Sequence, residues 1–230
     1  MRAEGKAAHG SFAGYVGENA IMKMVGALPA VQELQGLPAA LDQETERLVD
    51  EVMKGYRDQY GHESIEMANV LRHLTVNVGV IRGGTKENIV PALCEAEVDI
   101  RLPLGFTPEH VKSLVEEKIQ DRAPSVTVEW GRHPCIITGP TYTSPDEEVV
   151  QILRSNSKTV IGRPPHLSFT SGGTDCRFWR LRSIPAVSYG PRVYSIGGVD
   201  ERITIEDLMA TALVHMGTIV DFLEGNREIH

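Results

Sequence analysis

Short metal-binding and nucleophile signatures are missing from this sequence, and each absence closes off a class of function. Only three cysteines occur, Cys94, Cys135 and Cys176, with no CxxC pair. A reduced, cytosolic setting fits this better than a disulfide scaffold. HxH, HExxH and HxD are absent, and His62, His73, His110, His133, His166 and His215 are scattered, so no metal ligand is assigned. No GxSxG elbow frames Ser11, Ser168 or Ser171. Basic charge is short: 23 Lys and Arg against 31 Asp and Glu give a net charge of -8 and a pI near 5.5, which excludes an electrostatic nucleic-acid binder. No run approaches the roughly 20 apolar residues of a membrane span, and the opening MRAEGKAAHG has no apolar signal core. The expectation is no membrane and a cytoplasmic protein. Internal repeats and low-complexity tracts are lacking too.

What is present centres on LTVNVGVIRGGTKENIVPALCEAEVDIRL, residues 74–102. Val76, Val78 and Val80 alternate with Asn77 and Gly79, Gly83-Gly84 break the run, and a second run carries Val98 and Ile100 on one parity. The pattern predicts two strands about a polar, glycine-centred connection. Asn88 precedes the second run and Arg101 stands near its far end, an amide and a charged fork suited to a carboxylate.

Residues 2–8 allow only a short strand, followed by His9-Gly10-Ser11. A helix is predicted from Glu18-Asn19 to Pro29, with Ala20, Ile21, Met24, Val25 and Leu28 at helical spacing. Residues 32–66 hold an acidic helical excursion with a solvated face. Thr107-Pro108-Glu109 opens a helix with the core stripe Val111, Leu114, Val115 and Ile119, and 125–130 alternates like a last strand. Strand, helix, strand, strand, helix, strand matches an α+β ferredoxin-like sheet, βαββαβ. After Trp130 the pattern changes, with helices expected from Ser144-Pro145-Asp146-Glu147 to about Ile161, at 177–181 and at 205–223, and strands at 167–169 and 184–189. That implies an α/β layer, with a boundary near residue 131.

Each candidate group has a plain structural reading beside its chemical one. His9 could donate to an oxyanion or be a loop histidine bonded to backbone. Arg101 could grip a carboxylate in a two-point fork or pair with Glu97 or Asp99. Ser171-Gly172-Gly173-Thr174-Asp175 could cradle an anion with backbone N–H groups or form a capping turn on Thr174 or Asp175.

Four blocks occur in a familiar order: GKAAHGSFAGYVGENAI (5–21), VNVGVIRGGTKENIVPALCEAEVDIR (76–101), SGGTDCRFW with IPAVSYGP (171–191), and VDERITIEDL ending at Leu208. Together they resemble the zinc-dependent deacylases and peptidases that include acetylornithine deacetylase, succinyl-diaminopimelate desuccinylase and aminoacylase. The resemblance implies a lid and dimerisation domain over 1–130, followed by the C-terminal part of an incomplete α/β catalytic domain over 131–230. It also implies a homodimer through the lid and a substrate that is a small N-acyl amino acid or peptide with a free carboxylate. His9 matches the lid histidine that stabilises the oxyanion in the partner's active site. Asn88 and Arg101 match groups that hold the substrate carboxylate, and Gly173 and Thr174 match a loop against the substrate backbone.

Two departures shape the functional expectation. The family's HxD, paired glutamates and further acidic ligand precede the lid, and by the resemblance this chain begins inside it. The family's common histidine three residues before the acidic pair Asp200-Glu201 is here Gly197. Zinc is implied for the intact family enzyme, with no ligand assignable in this sequence. The leading expectation is the C-terminal portion of a metal-dependent amidohydrolase, inactive alone. The alternatives are a non-catalytic dimerisation or carboxylate-binding module, and a metal-free hydrolase using Ser11 or Ser171.

Overall fold

The computed structural model describes residues 1–60, 69–131, 139–169, 173–195 and 197–225, with backbone alone at 59 and 60. They form two compact units, Met1–Pro140 and Thr141–His230. His62, His133, Cys135, Ser171 and Gly172 lie outside the described residues.

In the first unit a four-stranded sheet runs in the order β3-β5-β1-β6, with β1 Arg2–Glu4, β3 Thr75–Gly83, β5 Leu93–Arg101 and β6 Val126–Thr127. Every neighbouring pair is antiparallel. The short β1 sits inside the sheet, pairing Ala3 with Cys94 on one side and Val126 on the other, and Ala3 and Cys94 are fully buried. The β3–β5 hairpin runs from Thr75 opposite Arg101 to Gly83 opposite Cys94, with a register shift between Val78 and Val80. Such a shift bends the strand and raises its twist. A second, two-stranded ladder joins β2 Ala8–His9 to β4 Ile89–Val90, pairing His9 with Ile89.

Helix α1, Ala20–Gln32, starts where Asn19 Oδ1 accepts the Met22 N–H at 3.1 Å, satisfying one of the open donors of the first turn. The expected end at Pro29 is overtaken: Pro29 lies inside the helix. Proline removes one backbone donor there, but Ala30, Val31 and Leu34 beyond it are no more than 1% exposed, and their burial carries the helix on. Helix α3, Pro108–Arg122, is capped by Thr107, whose Oγ1 accepts the His110 N–H at 3.2 Å. Val111, Val115 and Ile119 join Met24, Val31, Leu74 and Val126 in one core, with Leu114 at its margin. The predicted strand at 125–130 shortens to two residues. The acidic excursion is helix α2, Gln43–Tyr60; its Val49, Val52, Met53 and Tyr56 are buried while its acids face water.

The second unit is built on α4, Glu148–Ile161, and α6, Ile205–Gly225, with the short α5, Cys176–Arg180. Helix α4 ends on Gly162 at φ 84°, a left-handed cap glycine adopts at little cost. Thr204 Oγ1 accepts the Asp207 N–H at 3.0 Å to begin α6. The side of α6 against α4 is narrow and small: Val214 and Thr218 are buried, and a Cβ at Gly217 would collide with the Asn156 amide. The opposite side carries Leu208, Met209, Leu213, Met216, Ile219, Val220 and Leu223, each at least half exposed.

Two expectations for this unit are corrected. Residues 167–169 and 184–189 carry no regular secondary structure and join no ladder among the described residues. A strand persists only where its backbone groups find partners, and at Ala186 side chains supply them. Thr143 Oγ1 donates to the Ala186 carbonyl at 2.6 Å and accepts its N–H at 3.0 Å, and Arg180 Nε donates to the same carbonyl at 2.8 Å. The sequence also showed no apolar run of spanning length, whereas α6 is long and apolar enough to cross a membrane by length and composition.

Candidate functional site

The β2–β4 ladder fixes His9. Its backbone pairs with Ile89, and the next amide, Gly10 N–H, donates to the Asn88 carbonyl at 2.7 Å. A Cβ at Gly10 would stand 3.2 Å from that carbonyl, tighter than ordinary van der Waals contact, so glycine permits the close approach. The chain then makes one 3₁₀ turn, Gly10–Phe12, with His9 as its cap. His9 Nδ1 lies 3.3 Å from Ser11 N and 2.8 Å from Ser11 Oγ, and the ring meets Phe12 edge-on with centroids 6.4 Å apart. His9 is exposed, and its Nε2 has no partner among the described residues. The Ser11–His9 distance is within nucleophile–base reach, yet no carboxylate orients Nε2, the third member such a pair needs.

Asn88 is exposed beside this turn, at the end of the hairpin where β3 finishes. Arg101 is at the other end, opposite Thr75. Seven residue steps along the strand separate Arg101 from Cys94, about 23 Å at roughly 3.3 Å per step. The hairpin thus brings His9 and Asn88 together and holds Arg101 apart from both. Arg101 Nε donates to Asp99 Oδ2 at 2.6 Å, both side chains about half exposed; its two Nη groups have no partner among the described residues. An exposed pair of this kind contributes little to stability.

In the second unit Thr174 Oγ1 accepts the Cys176 N–H at 3.4 Å and contacts Ser188 Oγ at 3.2 Å. This is the capping use of Thr174; Asp175 makes no side-chain cap bond. Gly173 is exposed, and a Cβ there would stand 2.6 Å from Arg177 Nη1. Cys176 Sγ lies 3.3 Å from Ser188 Oγ. Burial pushes this thiol up, but bonds from Ser188 and Thr174 and the Arg180 charge outweigh it, leaving the thiol below its usual value. Ser188 was not singled out in the sequence; the only signal was a hydroxyl residue alternating in VSYGP.

Among the described residues no three His, Cys, Asp or Glu side chains are grouped to hold a metal ion. Glu201, half of the acidic pair, turns back so that its Oε2 accepts the Gly197 N–H at 3.1 Å, and Gly197 takes φ 71° in that turn. His73 Nδ1 donates to the Asn69 carbonyl, His110 stacks on Phe106, and His215 meets the Tyr189 carbonyl.

The antiparallel α+β unit that carries His9 is the part of the chain a known family covers: the family model described as the peptidase dimerisation domain matches residues 1–127. The chain belongs to that family, the dimerisation domain of the M20 deacylases and peptidases. It is similar to succinyl-diaminopimelate desuccinylase of Hydrogenovibrio crunogenus, 25% identical over 64% of this chain and 38% of that protein. The enzyme of the same name from Cereibacter sphaeroides strain ATCC 17029 is 26% identical over 76% of this chain and 44% of that protein. The chain thus spans well under half the length of these curated relatives. Among solved structures, an M20 family metallo-carboxypeptidase from Sulfolobus solfataricus aligns with a TM-score of 0.66 at 20% identity, over 95% of this chain and 59% of that one. Human carnosine dipeptidase 1 aligns with a TM-score of 0.62 at 14% identity, over 94% and 53%. These two likenesses concern the fold.

Proposed function

We propose that this chain is the lid and C-terminal portion of a metal-dependent amidohydrolase acting on an N-acyl or peptide bond beside a free carboxylate. The observation that carries the reading is His9: an exposed imidazole fixed by backbone pairing, with Asn88 beside it and a nitrogen left for a ligand. The sheet order β3-β5-β1-β6 with α1 and α3 supports the ferredoxin-like assignment, with residues 1–130 as lid and 131–230 as catalytic-domain segment. A zinc ion polarises the scissile carbonyl and activates water in such chemistry, and a carboxylate base takes the proton. Among the described residues no group of three His, Cys, Asp or Glu is placed to hold that ion, and the residues named here contribute substrate grip and charge stabilisation.

His9 donates a hydrogen bond to the oxygen that becomes negative in the tetrahedral state, where a fixed donor is worth most. Asn88 adds an amide donor at the same end. Arg101, a hairpin's length away, grips the carboxylate of a different substrate molecule from the one His9 serves. In a homodimer each active site then takes His9 and Asn88 from one copy and Arg101 from the other. The strand β3, nine residues long, is an edge of the sheet with Ile81 half exposed, a surface on which a second copy can pair. Gly173 and Thr174 contact the substrate backbone. The large apolar side of α6 is covered by the remainder of a complete catalytic domain.

The reading is tested by binding of a phosphinate analogue of an N-succinyl amino acid, whose tetrahedral anion mimics the transition state. Binding weakened by His9→Gln, Asn88→Ala and Arg101→Ala supports it, and binding unchanged by all three refutes it. The absence of a metal set among the described residues favours one alternative, a non-catalytic carboxylate-binding dimerisation module. That module would bind N-succinyl amino acids as well as it binds the phosphinate.

A further inference from the structure

The turn after β2 carries information about which proton His9 holds. A backbone N–H is only ever a donor. Ser11 N–H points at His9 Nδ1 from 3.3 Å, so Nδ1 is the unprotonated, accepting nitrogen. The Ser11 hydroxyl, 2.8 Å from the same atom, must then donate as well, since both groups cannot be acceptors of a proton that Nδ1 does not carry. Two donors from one residue converge on one lone pair, and the ring proton resides on Nε2. The second imidazole nitrogen therefore sets the tautomer through the bond it makes.

We propose that Ser11 is a positioning residue for His9. Its amide and hydroxyl hold the neutral imidazole as the Nε2–H tautomer and fix the ring so that this hydrogen is offered to an anionic oxygen of the ligand. The inference deepens the oxyanion role proposed above and rests on it for its catalytic meaning, whereas the Ser11–His9 hold itself does not depend on that role. The local geometry is over-determined: the His9–Ile89 pairing anchors the cap residue, the Gly10–Asn88 bond anchors the turn, and the Ala13 N–H closes it on the Gly10 carbonyl at 3.1 Å. Phe12, edge-on to the ring, limits its rotation. The same 2.8 Å contact has the reach of a nucleophile–base pair, but among the described residues no carboxylate partners Nε2 to complete one, so the positioning role is the one the turn supports.

Imidazole ¹⁵N resonances of the full chain provide the test, recorded near pH 8, above the ordinary histidine pKa of about 6.5. His166, exposed and with no ring partner among the described residues, is the internal reference. The expected wild-type spectrum shows His9 as a single Nε2–H form, with Nδ1 displaced from the His166 value by its hydrogen bonds. Ser11→Ala moves Nδ1 toward the His166 value, and Ser11→Thr, which keeps the hydroxyl, restores it. Unchanged amide resonances in β1, β5 and β6 establish that the variants are folded. A proton on His9 Nδ1 in the wild type, or a Ser11→Ala spectrum identical to it, overturns the proposal. If the hold is seen but His9→Gln binds the phosphinate as tightly as wild type does, the oxyanion reading fails and the positioning of the ring stands.

Discussion

Neighbouring residues on α6 should respond to substitution in the reverse order of their size. Val214 is 0% exposed and faces α4; Leu213 is 51% exposed on the opposite side. Val214→Asn removes about 2 kcal/mol of apolar burial and leaves a buried amide short of partners, a further ~1–3 kcal/mol. The sum is about 4 kcal/mol. Leu213→Gln loses roughly half of a leucine's ~2 kcal/mol burial, recovers part through the glutamine methylenes, and opens no closed cavity. Its cost is below about 1 kcal/mol. Urea titration followed through individual amide resonances separates α6 from the β1–β6 sheet, so each unit has its own midpoint. The α6 midpoint should fall steeply in Val214→Asn and barely move in Leu213→Gln, while binding of a hydrophobic dye falls in the latter. If a second copy covers this side, the Leu213→Gln cost grows with protein concentration. A cost equal to that of Val214→Asn at every dilution would refute the reasoning, because α6 would then be covered from within the chain.

Other predictions follow from single contacts. Thr107→Ala should cost about 1 kcal/mol of stability in the first unit by removing the cap on α3, and Thr107→Asp should retain most of it; chemical denaturation reads both. Glu33 accepts a hydrogen bond from Lys118 and forms an ion pair with Arg122, and these hold its carboxyl below the usual value. A carboxylate depressed on folding stabilises the fold above its unfolded pKa and loses that contribution as pH falls through the folded one. Acid unfolding of the first unit should therefore begin at higher pH in wild type with added salt, and Glu33→Gln should flatten the acid limb. Arg101→Lys should weaken phosphinate binding about tenfold, the ~1.5 kcal/mol of a lost charge-assisted bond. Arg82→Lys, at a 73% exposed arginine paired with Glu97, should change it little; equal effects would retire Arg101 as a ligand contact.

The parts of the fold legible in the sequence are those fixed by local chemistry. Thr107-Pro108 and Thr204 announce their helices because a side-chain oxygen meets an amide a turn away, and the 74–102 hairpin is written in valine alternation about Gly83-Gly84. Pro29 does not end α1 because burial of Ala30 and Val31 is a tertiary effect that outweighs a local breaker. The runs at 167–169 and 184–189 have strand composition, but a strand is a property of two stretches of backbone, and here Thr143 and Arg180 meet the polar groups of Ala186 instead. At the candidate site, the residue types were legible and their separation was not. Asn88 and Arg101 are 13 positions apart in sequence, yet the hairpin places them at opposite ends, because antiparallel pairing folds Asn88 back toward Gly83 while β5 carries Arg101 away. Ser11 read as a candidate nucleophile; only the turn geometry exposes its hold on His9.

The central claim is that this chain holds and stabilises while metal-dependent cleavage needs groups outside the described residues. The most direct measurement is hydrolysis of N-succinyl and N-acetyl amino acids by the purified chain, with zinc and with a chelator. The account predicts no turnover above background in either condition, with the phosphinate still bound through His9. Turnover above background in either condition, with zinc or with chelator, would contradict it.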